Sequence, residues 1–289
     1  MKKSHIYKAL FLLLFFNYTS AQINIQDSLV ANTAYWMLHD DATYDVYYVN
    51  TKVIENDSIT LLNKRNIVTM KIVDSTNISY DIEWTYHKTD EKDVNKNKFQ
   101  IKFQTDEFGS FKKWLNKLEV LKELQNDNYP YFIQNEKKFI ETLVIAQTLK
   151  PNEVIYEVLE NYLLINIFHY LNFSGGSYPM NQLSWVTIEI ENPINKKKME
   201  SSIISEVEYF EENHNTYILT STTQPNQADL NSFLKEIIKI NDDHALYYNE
   251  IKNRSLFHNS GWLIQNEIEN KMTYNNEVMI KNIRFEMWE

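Results

Sequence analysis

The chain has no cysteine. Disulfides, thiolate metal centres and cysteine nucleophiles are therefore excluded, and stability must come from packing and backbone hydrogen bonds. A lipoprotein precursor needs a cysteine at its cleavage point, so its absence predicts a soluble form. Glycine is nearly as scarce, at 4 of 289 residues, where ordinary usage is about 7%. Phosphate-cradling loops need several glycines in one short stretch, and only Gly175 and Gly176 adjoin. A Walker loop, a dinucleotide fingerprint and a nucleophile elbow are all missing, and no cofactor is expected. Tight turns must fall instead to Asn and Asp, which tolerate left-handed backbone; Asn56-Asp57, Asn95 to Asn97, Asn213 to Asn215 and Asn275-Asn276 supply them. No apolar run approaches the roughly 20 residues that span a bilayer. Basic charge is also short: the formal net charge is −10, which disfavours nucleic acid and anionic lipid head groups as partners.

What is present begins with Lys2, Lys3 and Lys8, an unbroken apolar run from Ala9 to Phe16, and a small-residue exit at Thr19 and Ala21. This three-part pattern predicts a secretory signal peptide over residues 1–21, cleaved between Ala21 and Gln22. The protein is then expected in the periplasm, at the cell surface or outside the cell, with no transmembrane segment after cleavage. The signal holds three lysines and no acid, so its removal makes the chain more acidic still.

From about Thr43 to Phe103 the hydrophobic period is two. In YDIEWTY the residues Tyr80, Ile82, Trp84 and Tyr86 share one face, and in KFQIKFQ so do Phe99, Ile101 and Phe103, the mark of antiparallel strands with one wet side. At TDEFGSFKKWLNKLEVLKEL the spacing predicts a helix that aligns Phe111, Trp114, Leu115, Leu118, Leu121 and Leu124. Two more helices are expected near Tyr131 to Leu149 and Asn152 to Leu171, the second apolar almost all round. Strands return at WVTIEIE, with Val186, Ile188 and Ile190 inward, then at IISEVEYF and TYILTSTT. A helix at DLNSFLKEIIKI is expected to take Asp229 as N-cap, and a hairpin around Asn275-Asn276 ends the chain. The order predicts an α+β fold with antiparallel sheets: a strand-rich half over 22–108, a helical middle over 109–173, and a second strand-rich half over 174–289, sharing one domain or forming two. The two strand-to-helix corners at FQIKFQTDEFGSFKKWLNKL and YILTSTTQPNQADLNSFLKEI have no fixed repeat beyond the corner.

Two stretches place a histidine beside two aspartates: HDDATYDVYY at 39–48 and DDHALYY at 242–248. Imidazole and carboxylate together suit zinc, manganese or iron, so His39 with Asp40 or Asp41, and His244, are candidates for a metal-assisted hydrolase. Against this, adjacent aspartates point apart on any regular element, neither histidine has a helical His partner, and turn residues account for both stretches, so no metal site is expected. His169, inside the most apolar helix, reads as a core residue; His87, His214 and His258 have no sequence neighbours to act with. The glutamate pairs Glu189/Glu191 and Glu206/Glu208 alternate with Ile or Val and lie on wet strand faces, where a general acid would lack the burial it needs; Glu211/Glu212 carry no better signal. Aromatic residues are 14% of the chain. Most fall on inward faces, but Trp36, Tyr47, Tyr48, Trp185 and Trp262 are candidates for lining a cleft that binds an apolar or aromatic ligand. Asp27-Ser28-Leu29, Asp57-Ser58-Ile59 and Asp74-Ser75-Thr76 match a short bacterial O-glycosylation sequon, placing Ser28, Ser58 and Ser75 as candidate acceptors.

The KK start, the TSAQ exit, the load of Asn, Lys and Ile, and the corner DEFGSFKKWLNKLEVLK together resemble uncharacterised secreted proteins of flavobacterial (Bacteroidota) type. The resemblance implies a bacterial envelope location and brings no catalytic or binding residue with it. The reading that results is an exported envelope protein, more a binder than an enzyme, that holds an apolar or aromatic ligand or a partner protein. A metal-assisted hydrolase and a structural envelope component are the alternatives.

Overall fold

The period-two stretches become a single large sheet. The computed structural model describes residues 23–24, 28–54, 57–87, 98–126, 137–150, 153–191, 198–209, 216–238, 247–274 and 277–288. Among these residues the strands are β1 (Ile23–Asn24), β2 (Leu29–Ala31), β3 (Asp41–Ile54), β4 (Asp57–Thr76), β5 (Ser79–His87), β6 (Lys98–Asp106), β7 (Phe111–Trp114), β8 (Ser177–Pro179), β9 (Ser184–Glu191), β10 (Lys198–Tyr209), β11 (Thr216–Pro225), β12 (Tyr247–His258), β13 (Leu263–Tyr274) and β14 (Glu277–Met287). The helices are α1 (Lys117–Gln125), α2 (Lys137–Leu149), α3 (Glu153–Tyr170) and α4 (Gln227–Ile238). Eleven strands pair in the order β7-β6-β5-β4-β3-β14-β13-β12-β11-β10-β9, and β1-β2-β8 form a small second sheet.

The expected α+β class is thereby corrected to a nearly all-β, antiparallel architecture with a minor helical cover. The cause is the last strand. β14 lies along β3 from Met287 opposite Tyr44 to Glu277 opposite Ile54, so the meander before the helices and the meander after them join into one sheet. The helical reading also reached too far at the first corner. Phe111–Trp114 is a strand whose Trp114 pairs with Phe103, and the helix starts only at Lys117. Leu115 and Leu118 are exposed, while Val120 and Leu124 face the core.

Alternation sets the two sheet faces. Tyr44, Val46 and Tyr48 on β3, Val68, Met70 and Ile72 on β4, Ile82, Trp84 and Tyr86 on β5, and Phe99, Ile101 and Phe103 on β6 are all buried. β4 is 20 residues long, but only its second half alternates buried with exposed; Asp57 to Leu61 is solvated throughout. Helix α3 packs on the inward face through Leu159, Leu163, Leu164, Ile167 and Tyr170. The Tyr170 ring meets both Tyr44 and Trp84 edge-on at 5.4 Å, a favoured aromatic geometry. No helix among the described residues is long and apolar enough to cross a membrane.

Residues 32–40 run across one end of the large sheet and stitch its turns together. Asn32 N–H donates to the Gly176 carbonyl at 2.9 Å, Ala34 to Phe108 at 3.2 Å, Tyr35 to Ser260 at 3.1 Å and His39 to Ile72 at 3.0 Å. Trp36 is tucked beneath this strap, 5.4 Å from Tyr80 and 5.6 Å from Trp262 between ring centroids.

Two further expectations change. The cap of α4 is Asn226, whose Oδ1 accepts the Ala228 and Asp229 N–H groups at 3.0 and 3.2 Å; Asp229 lies in the first turn. β9 forms as expected but stands at the sheet edge, so Val186 is half exposed rather than inward and covered. The terminal hairpin is present, with Tyr274 opposite Glu277; its turn residues Asn275 and Asn276 lie outside the described residues.

Candidate functional site

The sequence-derived candidates do not converge. His39 occupies a left-handed turn at φ 74°, and Asp40 closes that turn by accepting the Met37 N–H on its carboxylate at 2.8 Å. Asp41 opens β3. These are the duties of turn residues. His244, with Asp242 and Asp243, lies outside the described residues, and among those described no group of three or more His, Asp and Glu comes together. Trp36 and Trp262 meet under the strap, and Tyr48 lies mid-sheet on β3. Trp185 is 69% exposed on β9, six strand positions from β3, or about 29 Å along the sheet. Tyr47 points to the opposite face from Tyr48, its ring 4.8 Å from the Arg284 guanidinium. His87 shares a 2.9 Å hydrogen bond with Thr69, and His258 contacts Ser260 at 2.7 Å. Glu189, Glu206 and Glu208 are exposed, as wet-face residues should be. Ser28 and Ser58 are exposed and Ser75 is half-buried.

A different set gathers on the inward face. Helix α3 presents Asn166, fully buried, whose Nδ2 donates to the Tyr48 hydroxyl at 2.8 Å and the Tyr86 hydroxyl at 3.2 Å. One turn on, the His169 carbonyl accepts from Nδ2 of Asn266 on β13 at 3.2 Å. A carbonyl cannot donate, so the Asn266 amide is fixed with its nitrogen toward the helix. The oxygens of both amides are buried without a partner, and so are Oδ1 of Asn270 and Asn249 farther along the same face. Cross-strand register builds the setting: Asn66, Val46, Phe285, Asn266, Ser255, Leu219 and Val207 lie opposite one another in one row across the sheet. The buried polar residues of the described chain are Asn, Ser and Thr, with no charged side chain among them.

Burial shapes the electrostatics. Desolvation raises the phenols of Tyr44 and Tyr48 well above their ordinary value, so both stay protonated as neutral hydrogen-bonding groups. Desolvation also pushes the His169 imidazole down to about 4. Its neutral form is favoured in the fold, so the associated stability is present above the unfolded value of about 6.5 and lost as pH falls toward 4. The limit is about 3 kcal/mol. Melting temperatures of wild type and His169→Gln, compared from pH 7 down to pH 4, are expected to converge as the wild type loses this contribution; parallel curves would remove His169 from the acid sensitivity.

Grooves among the described residues lie elsewhere. One of about 470 Å³ runs between α1 and α2 and is lined by Leu124, Val144, Ile145 and Leu149. Another, about 530 Å³, crosses β11 to β14 between rows that include Lys252, Arg254, Glu267, Glu269 and Arg284; mixed charges make it a solvated face.

Asn166 is a polar residue between Ile165 and Ile167 in an otherwise apolar helix, a signal the sequence carries, whereas nothing local marks Asn266. The chain carries an extra residue, Ile264, where Leu256 pairs with Gln265 and Phe257 with Leu263. That bulge inverts the alternation and turns Asn266 inward. Comparison with protein-family models finds no match, and comparison with curated proteins finds none either.

Proposed function

We propose that the protein is an exported, non-catalytic binding protein of the bacterial envelope that holds an amphipathic, largely apolar ligand on the inward face of its large sheet, against the helices. The observation that carries this reading is the pair of buried, unpartnered amide oxygens, Asn166 Oδ1 and Asn266 Oδ1, in an interior whose buried polar groups are all uncharged. Buried acceptors are almost always satisfied in folded proteins, and leaving one unpaired costs about 1–3 kcal/mol. A ligand that offers a hydroxyl or amide N–H there recovers that cost. Half-buried Ile203, Ile251, Met272 and Met279 on the same sheet face give its apolar body a surface to cover. The three-part leader at the start of the chain supports export, and the turn role of His39 and Asp40 speaks against the hydrolase reading.

A partner-protein reading draws on a separate feature. Tyr35, Met37, Leu38, Ile78 and Phe108, all on the strap or the turns it crosses, are between 45% and 70% exposed.

Native mass spectrometry of the protein purified from an exporting host, compared with its denatured mass, tests the proposal. A stoichiometric, lipid-sized excess is expected, together with displacement of an environment-sensitive apolar dye by the extracted material. Equal native and denatured masses with no dye uptake would overturn the ligand reading and favour the partner protein; an excess matching a metal ion would revive the hydrolase.

A further inference from the structure

The two edges of the eleven-stranded sheet are unlike. β7 is four residues long, carries exposed Lys112 and Lys113, and runs straight on toward α1. Short length and lysines are the usual ways of blunting an edge against further pairing. β9 has neither protection. It is eight residues long, and among the described residues no strand pairs with its outer side. Trp185 is 69% exposed on one face and Val186 51% exposed on the other, with Leu183, just before the strand, at 69%. Of the strand's two acids, Glu189 and Glu191, Glu189 is already engaged by Lys198 of the neighbouring β10, which weakens its value as a charge that repels another strand. A long edge with apolar side chains on both faces is a template for strand addition.

From this contrast we infer that β9 is a self-association edge, and that its occupant is β9 of a second copy of this chain, added antiparallel about a two-fold axis at Thr187. Charge and side-chain pattern select that occupant and register. Centred on Thr187, the axis sets Val186 of each copy opposite Ile188 of the other, extending the row that already links Val186 to Ile203 and Ile188 to Ser201. On the other face, Trp185 of each copy lies opposite Glu189 of the other, and the two Thr187 residues meet. No described carboxylate then faces a carboxylate, and threonine pairs and aliphatic pairs are favourable cross-strand neighbours. The interface is isologous and closed, so it ends at a dimer and does not propagate into a fibre, because the β7 edge of each copy stays blunted. Val186 and Ile188 share the sheet face of Ile203, but the pairing is made along the open backbone edge of β9 and uses neither Asn166 nor Asn266, so the inference stands whether or not those amides hold a ligand.

Sedimentation velocity of the purified protein over a wide concentration range tests it, beside Val186→Lys and Thr187→Lys variants. The wild type is expected to pass from monomer to dimer, with slowed amide hydrogen exchange in β9 as the dimer fills. Both variants are expected to weaken association at least tenfold. Because each substitution lies on an exposed edge, thermal melting of the monomer is expected to remain unchanged, which separates lost pairing from lost folding. A wild type that is monomeric throughout overturns the inference. So does a dimer that persists undiminished in both folded variants, since its contact would then lie on another surface.

Discussion

Replacing Trp84 by alanine is expected to lower the unfolding free energy by about 3–5 kcal/mol, the range for removing a large aromatic side chain from a core that cannot collapse around the gap. Trp84 is fully buried at the centre of β5. Its ring touches Tyr170 of α3 at 5.4 Å and Tyr86 at 6.3 Å between centroids, and Met70 and Ile101 flank it across the neighbouring strands. The cavity would open between sheet and helix, beside the Tyr48–Asn166–Tyr86 hydrogen bonds. Against a total stability of about 5–15 kcal/mol for an ordinary domain, such a loss would bring the chain close to its folding threshold. The denaturant midpoint, followed by far-ultraviolet circular dichroism, measures it. A loss below about 1 kcal/mol would mean that α3 and β5 are not packed as described.

The second large effect belongs to a position with no side chain. Gly261 adopts φ 82°, and a Cβ there would stand 2.5 Å from the Thr33 carbonyl oxygen. Gly261→Ala is expected to cost about 3 kcal/mol, combining roughly 1–2 kcal/mol of left-handed backbone strain with an overpacking penalty of roughly 1–3 kcal/mol. The oxygen belongs to backbone, so no rotamer change relieves the clash; the strap must move away from the β12–β13 turn. Trp36 lies under that strap against Trp262, so its exposure reports the movement. Fluorescence quenching by iodide should rise in Gly261→Ala even where the protein remains folded. An unchanged midpoint with unchanged quenching would show that the strap does not rest on this glycine.

Much of the sheet was legible because a strand with one wet face writes its own pattern. Tyr80, Ile82, Trp84 and Tyr86, and likewise Phe99, Ile101 and Phe103, lie on the inward face as their spacing requires. The pattern failed where the determining partner was distant in sequence. FKKWLNKLEVLK scans as one amphipathic helix, but Trp114 pairs with Phe103 and removes the first residues to a strand edge. WVTIEIE scans as a half-buried strand, but no described element covers Val186 because β9 is the last strand in the order. The fold class turns on the same kind of distant partner: the order of elements reads as two strand-rich halves and a helical middle, and only the β3–β14 ladder makes the halves one sheet.

The candidate site was less legible still. Histidine, aspartate and exposed aromatics draw the eye in a sequence, whereas asparagine is spent freely on turns in this glycine-poor chain. Asn266 becomes a buried acceptor through a one-residue bulge at Ile264, and no local propensity marks which residue of LIQN will be the extra one.

By itself the sequence determined the absence of cysteine chemistry and glycine-rich phosphate loops and the strand periodicity, because these follow from residue type and spacing over a few positions. The tertiary structure decided that two meanders close into one eleven-stranded sheet, that Asn166 and Asn266 share one buried seam, and that β9 is left open. Each of these depends on pairing between residues tens to hundreds of positions apart, where register is set by the fit of whole faces and not by any local run of side chains.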